Sequence, residues 1–126
     1  MNSTRLRPSA EHNLKWCDLK RDKERFPVVS DCAIYCLPSL RGCAMMFNGN
    51  TGAGDDLVEE FLEDVMAWQP AGEDPHTPAG LARAFEQFLR RQFGNQSRRI
   101  ALSATPGQTV GAWMTADEFF AAIAHI

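Results

Sequence analysis

Carboxylates are the side chains with the clearest chemical potential in this sequence, and they are concentrated in its middle. Between Asn48 and His76 there are eight Asp or Glu residues and no Lys or Arg. Six of the eight share one short segment: Asp55, Asp56, Glu59, Glu60, Glu63 and Asp64. Acid–base catalysis needs two carboxyl groups in contrasting environments, whereas these six are expected to be equally exposed. The pattern therefore indicates electrostatic contact with a basic partner rather than catalysis.

A helix is the element that must position these acids. At 3.6 residues per turn they fill one half of the circumference between Asp55 and Trp68. The other half is apolar and holds Leu57, Val58, Phe61, Leu62 and Val65. Four pairs of acids lie four residues apart, and each such pair is unfavourable by about 0.2 to 0.5 kcal/mol. Either arginines of the following helix (Arg83, Arg90 and Arg91) offset this repulsion, or a basic surface of a partner does.

Cysteine and histidine are the other candidate reactive groups. The cysteines all lie in the first third of the chain: Cys17, Cys32, Cys36 and Cys43. Their spacing matches no common zinc site, and free cysteine is often simply buried. The histidines are His12, His76 and His125. The sequence predicts no cofactor and no metal; the alternative function is a small enzyme that uses Cys36 or Cys43 with a histidine between sheet and helices.

A glycine-rich loop, Asn48 to Gly54, precedes the acidic helix. Such a loop between a strand and a helix can bind phosphate through backbone amides. Here no lysine follows the last glycine, and Asp55 and Asp56 would repel a bound phosphate. We therefore interpret this stretch as a connecting loop.

The order of elements predicts an α+β fold. A first helix is expected from Ser9, followed by a hairpin of strands at Cys32–Leu37 and Cys43–Phe47 around a turn at Pro38–Gly42. After the acidic helix, a second helix is expected from Pro78 to Phe93, capped by Thr77 and ended by Gly94. A second hairpin (Arg99–Ser103 and Thr109–Met114) and a last helix with a capping box at Thr115–Glu118 complete the chain. The predicted fold is an antiparallel sheet of about four strands, in two hairpins, covered by three or four helices.

Composition sets wider limits. With 126 residues, 44% of them hydrophobic, the chain is predicted to form one domain over residues 1–126, with 1–8 flexible. Net charge is −3, but it is uneven: residues 1–47 carry +3, residues 48–76 carry −8 and residues 77–126 carry +2. No apolar run is long enough to span a membrane, and no secretory signal is recognised, which predicts a cytoplasmic protein.

These features predict a small interaction or regulatory protein that resembles an inhibitor in its action. Its acidic helix is expected to bind a basic protein surface, such as that of a nucleic-acid-binding protein, because an acidic helix can occupy a groove built for DNA or RNA. The profile also fits accessory proteins of mobile elements and phages that act on nucleic-acid machinery. Direct binding of nucleic acid is not expected at a pI near 5.5. A homodimer that uses Trp68 and Trp113 remains a further alternative.

Overall fold

Three long helices and one short hairpin make up most of the structure. The computed structural model describes residues 15–49, 51–67, 73–94, 96–101 and 111–124. In chain order, its elements are α1 (Trp16–Leu19), α2 (Val29–Asn48), α3 (Thr51–Ala67), α4 (Pro78–Phe93), β1 (Arg98–Ala101), β2 (Gly111–Met114) and α5 (Ala116–Ile123). The helices α2 and α3 pack against each other along their length, and α4 packs against α2.

The predicted first hairpin is wrong, because the segment from Val29 to Asn48 is a single helix. Its buried positions recur at intervals of three and four residues: Cys32, Ala33, Cys36, Ser39, Leu40, Cys43, Ala44 and Phe47. This helical period outweighs the strand preference of the local residue types. Pro38, which was expected to open a turn, lies inside the helix on its exposed side. The predicted loop also ends early, since α3 already begins at Thr51.

The predicted fold class is therefore wrong as well. Within the described residues, the sheet consists of β1 and β2 alone, paired antiparallel with Arg99 opposite Trp113 and Ile100 opposite Ala112. The second predicted hairpin is confirmed where β1 and β2 lie, while residues 102–110, which hold the rest of the predicted strands and their turn, are outside the described residues. The sheet of about four strands is absent because the strands assigned to residues 32–47 are helical, so helices rather than strands supply most of the core.

Phenylalanine rings join the helices in the core. Phe61 of α3 lies with its ring centroid 5.0 Å from that of Phe85 in α4. Phe47, at the end of α2, lies 5.2 Å from Phe119 of α5. All four side chains are almost completely buried. Aromatic pairs at such distances contribute about 0.5 to 1.5 kcal/mol beyond the burial of their area.

The predicted boundaries of α4 and the predicted start of α5 are confirmed. Thr77 caps α4 by accepting a hydrogen bond from the Gly80 amide at 3.0 Å, with Pro78 in the first turn. Gly94 ends this helix with a positive φ of 58°. The capping box of α5 is complete, because the Thr115 hydroxyl accepts from the Glu118 amide and the Glu118 carboxylate accepts from the Thr115 amide.

A buried carboxylate fastens the short helix α1 to α4. Glu86 is only 5% exposed and accepts a hydrogen bond from the Trp16 indole N–H at 2.7 Å. The Lys20 ammonium lies 3.0 Å from the same carboxylate oxygen, Oε2. Trp16 is itself buried and stacks on Phe120 of α5 at 6.0 Å. Glu86 therefore holds α1 in place through one neutral and one charged donor.

Tyr35 of α2 holds the segment that follows α1. Its hydroxyl donates a hydrogen bond to the Asp22 carboxylate at 2.8 Å. Burial, and then the hydrogen bond and charge of Asp22, raise the pKa of Tyr35 to about 12. The Asp22 carbonyl in turn accepts from the Ala79 amide at 2.8 Å, which links the segment to the start of α4.

The raised pKa predicts a loss of stability in strong alkali. Tyr35 has a higher pKa in the folded chain than in the unfolded chain, so its contribution is complete below pH about 10 and is lost as the pH rises toward about 12. After allowance for partial solvent exposure, the expected loss is about 1 to 2 kcal/mol. Tyr35 is the only tyrosine, so its ultraviolet tyrosinate band reports its ionisation directly. Tyr35→Phe should remove this part of the alkaline loss; an ordinary tyrosine midpoint in the folded protein would contradict the prediction.

Candidate functional site

A groove lies between α2 and α3. Its volume is about 840 Å³. Its floor is apolar and is formed by Leu37, Val58, Leu62, Met66 and Ala67. Its rim is charged and carries Arg41, Asp55, Asp56, Glu59 and Glu63. Met66 is 50% exposed, so the apolar floor opens to solvent. We call this surface the acid-rimmed groove.

Helical spacing places the floor and the rim side by side on α3. Val58, Leu62 and Met66 are four residues apart and form one row, and Asp55, Glu59 and Glu63 form the next row. The helix α2 supplies the opposite wall through Leu37 and Arg41, which are also four apart. The two rows of α3 and the pair on α2 therefore all line the acid-rimmed groove.

Close approach of the two helices is set at Gly54, near the start of α3. A Cβ atom added there would lie 2.9 Å from the Met45 amide nitrogen of α2. Only glycine fits this approach without a shift of the backbone. Gly54 therefore fixes how α3 crosses α2 at this end of the groove.

Three of the six predicted partner-binding acids interact with side chains of the same chain. Asp55 accepts two hydrogen bonds from the Arg41 guanidinium, at 2.8 and 3.2 Å. Asp64 lies 3.5 Å from the guanidinium of Arg91. The third acid, Glu60, accepts a hydrogen bond at 3.0 Å from the side-chain amide of Gln92 in α4. These contacts offset part of the repulsion within the acidic row.

The other three acids, Asp56, Glu59 and Glu63, remain available to a partner. They are exposed, line the acid-rimmed groove, and make no hydrogen bond or ion pair within the described part of the chain. Two of the arginines expected to offset the repulsion among the acids of α3 contact other groups than these three. Arg91 lies near Asp64, and Arg90 pairs with Asp117 of α5. The structure therefore divides the predicted set into acids that hold α3 in place and acids that face the groove.

The cysteines proposed for a Cys–His enzyme lie in the core. Cys36 and Cys43 are at most 2% exposed. A hydrogen bond with Cys32 and burial raise the pKa of the Cys36 thiol, and burial beside Glu86 raises that of Cys43. A thiol that stays protonated is a poor nucleophile and a poor metal ligand.

Of the three histidines, His76 alone lies in the part of the chain that the structure describes. The His76 ring uses Nδ1 in a contact of 2.9 Å with the Phe26 carbonyl oxygen, while His12, His125 and Trp68 lie outside the described residues. Across the described ranges, no three His, Cys, Asp or Glu side chains meet in a cluster that would hold a metal ion.

Comparison with known proteins gives one partial similarity. No family model matches the sequence, and no solved structure matches it. Among curated proteins, the chain is similar to the ECF RNA polymerase sigma factor EcfG of Rhodopseudomonas palustris (strain TIE-1), with 30% identity over 106 residues. The match covers 74% of this chain and 56% of the sigma factor. The chain therefore spans about half the length of the curated relative it matches.

No helix in the described residues combines the length and the apolar character that a crossing of the bilayer needs.

Proposed function

We propose that this chain is a regulatory interaction protein that binds a basic protein surface through the acid-rimmed groove. The observation that carries the proposal is the combination of an open apolar floor with three acids that have no partner among the described residues. Core apolar contact with a charged periphery is the usual anatomy of a protein–protein interface. The partner class that we propose is the transcription machinery around RNA polymerase.

Charge and shape favour an amphipathic, basic segment as the element that enters the groove. Apolar side chains of such a segment would cover Leu62 and Met66, and lysines or arginines beside them would meet Glu59 and Glu63. The unpaired acids would mainly speed association and select the partner, since exposed charges add little affinity on their own. Phosphate groups would be repelled by the same rim, so the proposal does not include direct binding of nucleic acid.

The similarity to a sigma factor supports the choice of partner class. The matched relative is named for RNA polymerase, and a protein partner that also handles nucleic acid offers the basic surface that the groove requires. By occupying such a surface, the acidic helix would compete with nucleic acid, which is how a small protein of this kind would act as an inhibitor.

Reversal of the rim charge tests the proposal. Replacing Glu59 and Glu63 with lysine should weaken binding to purified bacterial RNA polymerase core enzyme by at least about tenfold, because two attractions become repulsions. Binding of the wild-type chain should also weaken as salt is raised, since exposed charges are screened. Asp31→Lys is the matched control, because Asp31 is an exposed acid at the start of α2 that does not line the groove.

Biolayer interferometry with immobilised core enzyme measures these affinities, and circular dichroism verifies that each variant is folded. Equal affinity of the wild type and the double variant would rule out the groove as the binding site. Failure of the wild type to bind core enzyme at low salt would rule out the proposed partner class.

A further inference from the structure

The β1–β2 hairpin presents an unusual pair of side chains to solvent. Its inner face packs against the helices through Ile100, which is completely buried, and Met114. Arg99 and Trp113 lie directly opposite each other in the register, on the outer face. Both are exposed, and Trp113 at 68% is the most exposed of the large hydrophobic side chains described.

Neither member of this pair interacts with the rest of the described chain. The side chains of Arg99 and Trp113 make no hydrogen bond, ion pair or ring contact with a described residue. The neighbouring Arg98 behaves differently, since its guanidinium lies over the rings of Phe47 and Phe93, at 4.6 and 4.4 Å from their centroids. The hairpin is thus anchored on one face, while its other face holds an aromatic ring and a cation that form no polar or ring contact within the described ranges.

Tryptophan and arginine are the residue types most often found at the energetic centre of protein interfaces. An exposed tryptophan beside an arginine needs a partner surface that is apolar in the middle and acidic at its edge. The acid-rimmed groove of this same chain has that composition, with Leu62 and Met66 in its floor and Glu59 and Glu63 on its rim. The two surfaces are complementary in both polarity and charge.

We propose that the hairpin of one copy of this chain docks into the acid-rimmed groove of a second copy. Trp113 would lie on the apolar floor, and Arg99 would pair with Glu59 or Glu63 of the other copy. A groove of about 840 Å³ can accept an indole ring together with the strand that carries it. Reciprocal docking would give a closed dimer, and one-way docking would give an open chain of copies.

This contact goes beyond the proposed function because it places a second copy, rather than another protein, in the groove. Self-association would then cover the surface that the proposed partner needs. Trp113 lies outside the groove, so Trp113→Ala should abolish self-association while binding to core RNA polymerase is retained. The two proposals can therefore fail independently.

Sedimentation velocity of the full chain at ~1 to ~100 μM tests the contact over the range of weak to moderate affinities. The wild type should associate with increasing concentration, and Trp113→Ala should weaken this association by at least about tenfold, as expected for a buried interface tryptophan. Val28→Ala is the matched control, because Val28 is also a half-exposed apolar residue but lies at the start of α2. A wild type that is monomeric throughout, or an alanine variant at position 113 that associates normally, would overturn the proposal.

A mixing experiment identifies the two surfaces that meet. Arg99→Glu should not self-associate, because its hairpin would face an acidic rim. The double variant Glu59→Lys, Glu63→Lys should not self-associate either, because its rim would face Arg99. An equal mixture should form a complex between the two variants, since the altered hairpin of the first then fits the altered groove of the second. Mixed samples that remain monomeric would overturn the proposal, because a purely structural effect of each variant predicts no rescue.

Discussion

Replacing Glu86 with alanine is expected to lower the free energy of unfolding by about 3 kcal/mol, because the buried carboxylate that joins Trp16 and Lys20 is lost. The indole N–H of Trp16, now 2.7 Å from that carboxylate, would remain in a buried site without its acceptor. Lys20 would lose its ion partner, although its side chain is 35% exposed and can recover part of its hydration. For this reason the expected loss lies at the lower end of the range for broken buried pairs.

Urea denaturation of the wild type and two variants measures this effect. Glu86→Gln is the matched control, because it keeps the size of the side chain and an oxygen that can accept from Trp16; about half of the loss is expected. A double-mutant cycle with Trp16→Phe should show coupling, since the two residues share one hydrogen bond. A change below about 1 kcal/mol in Glu86→Ala would show that α1 is not held by this carboxylate.

Gly80→Ala is expected to cost about 3 kcal/mol or more, because the added methyl group has no space. A Cβ atom at Gly80 would fall far inside van der Waals contact with the backbone carbonyl of Asp74, which is not the movable end of a side chain. Relief of this overlap would displace the first turn of α4. Two backbone amides of this turn donate hydrogen bonds that would be disturbed. The Gly80 amide donates to the Thr77 hydroxyl, and the Ala79 amide donates to the Asp22 carbonyl.

Gly42→Ala is the matched control for Gly80→Ala. Gly42 lies inside α2, and a Cβ atom built there meets nothing within 4 Å. Alanine is favoured over glycine in a helix, so this variant should gain about 0.5 to 1 kcal/mol. If thermal unfolding shows a lower Tm for Gly80→Ala and a higher Tm for Gly42→Ala, the space around each glycine decides the effect of the added methyl group. Equal, small effects at both positions would contradict the close packing seen at Gly80.

Local sequence signals predicted the second half of the fold better than the first. Thr77 with Pro78 and Thr115 with Glu118 bond to their own backbone neighbours, so the starts of α4 and α5 could be predicted without tertiary information. In α2, by contrast, the local signal was misleading. Proline usually ends a helix. Pro38, however, lies on the exposed side of α2, whose opposite face is buried by α3 and α4. Tertiary packing decides that segment.

The candidate site shows the same limit. Helical spacing was sufficient to place the acids of α3 on one face, but a groove needs two walls. Leu37 and Arg41 belong to the second wall, and they were assigned to a strand and a turn. With α2 read as a helix, their spacing of four residues would have placed both on one ridge. Burial of Glu86 could not be predicted locally, because Lys20 and Trp16, which bond to its carboxylate, lie 66 and 70 positions away.

Arg98 attaches the hairpin to the helices by packing its guanidinium on two aromatic rings, a contact that does not depend on an ion pair. Burial lowers the pKa of this guanidinium, and its described contacts are the faces of Phe47 and Phe93 rather than a carboxylate. Added salt weakens exposed ion pairs much more than a partly desolvated cation on aromatic rings. Raising the ionic strength should therefore release a partner bound in the acid-rimmed groove while the hairpin stays packed on the helices. One salt titration can thus separate loss of binding from loss of structure.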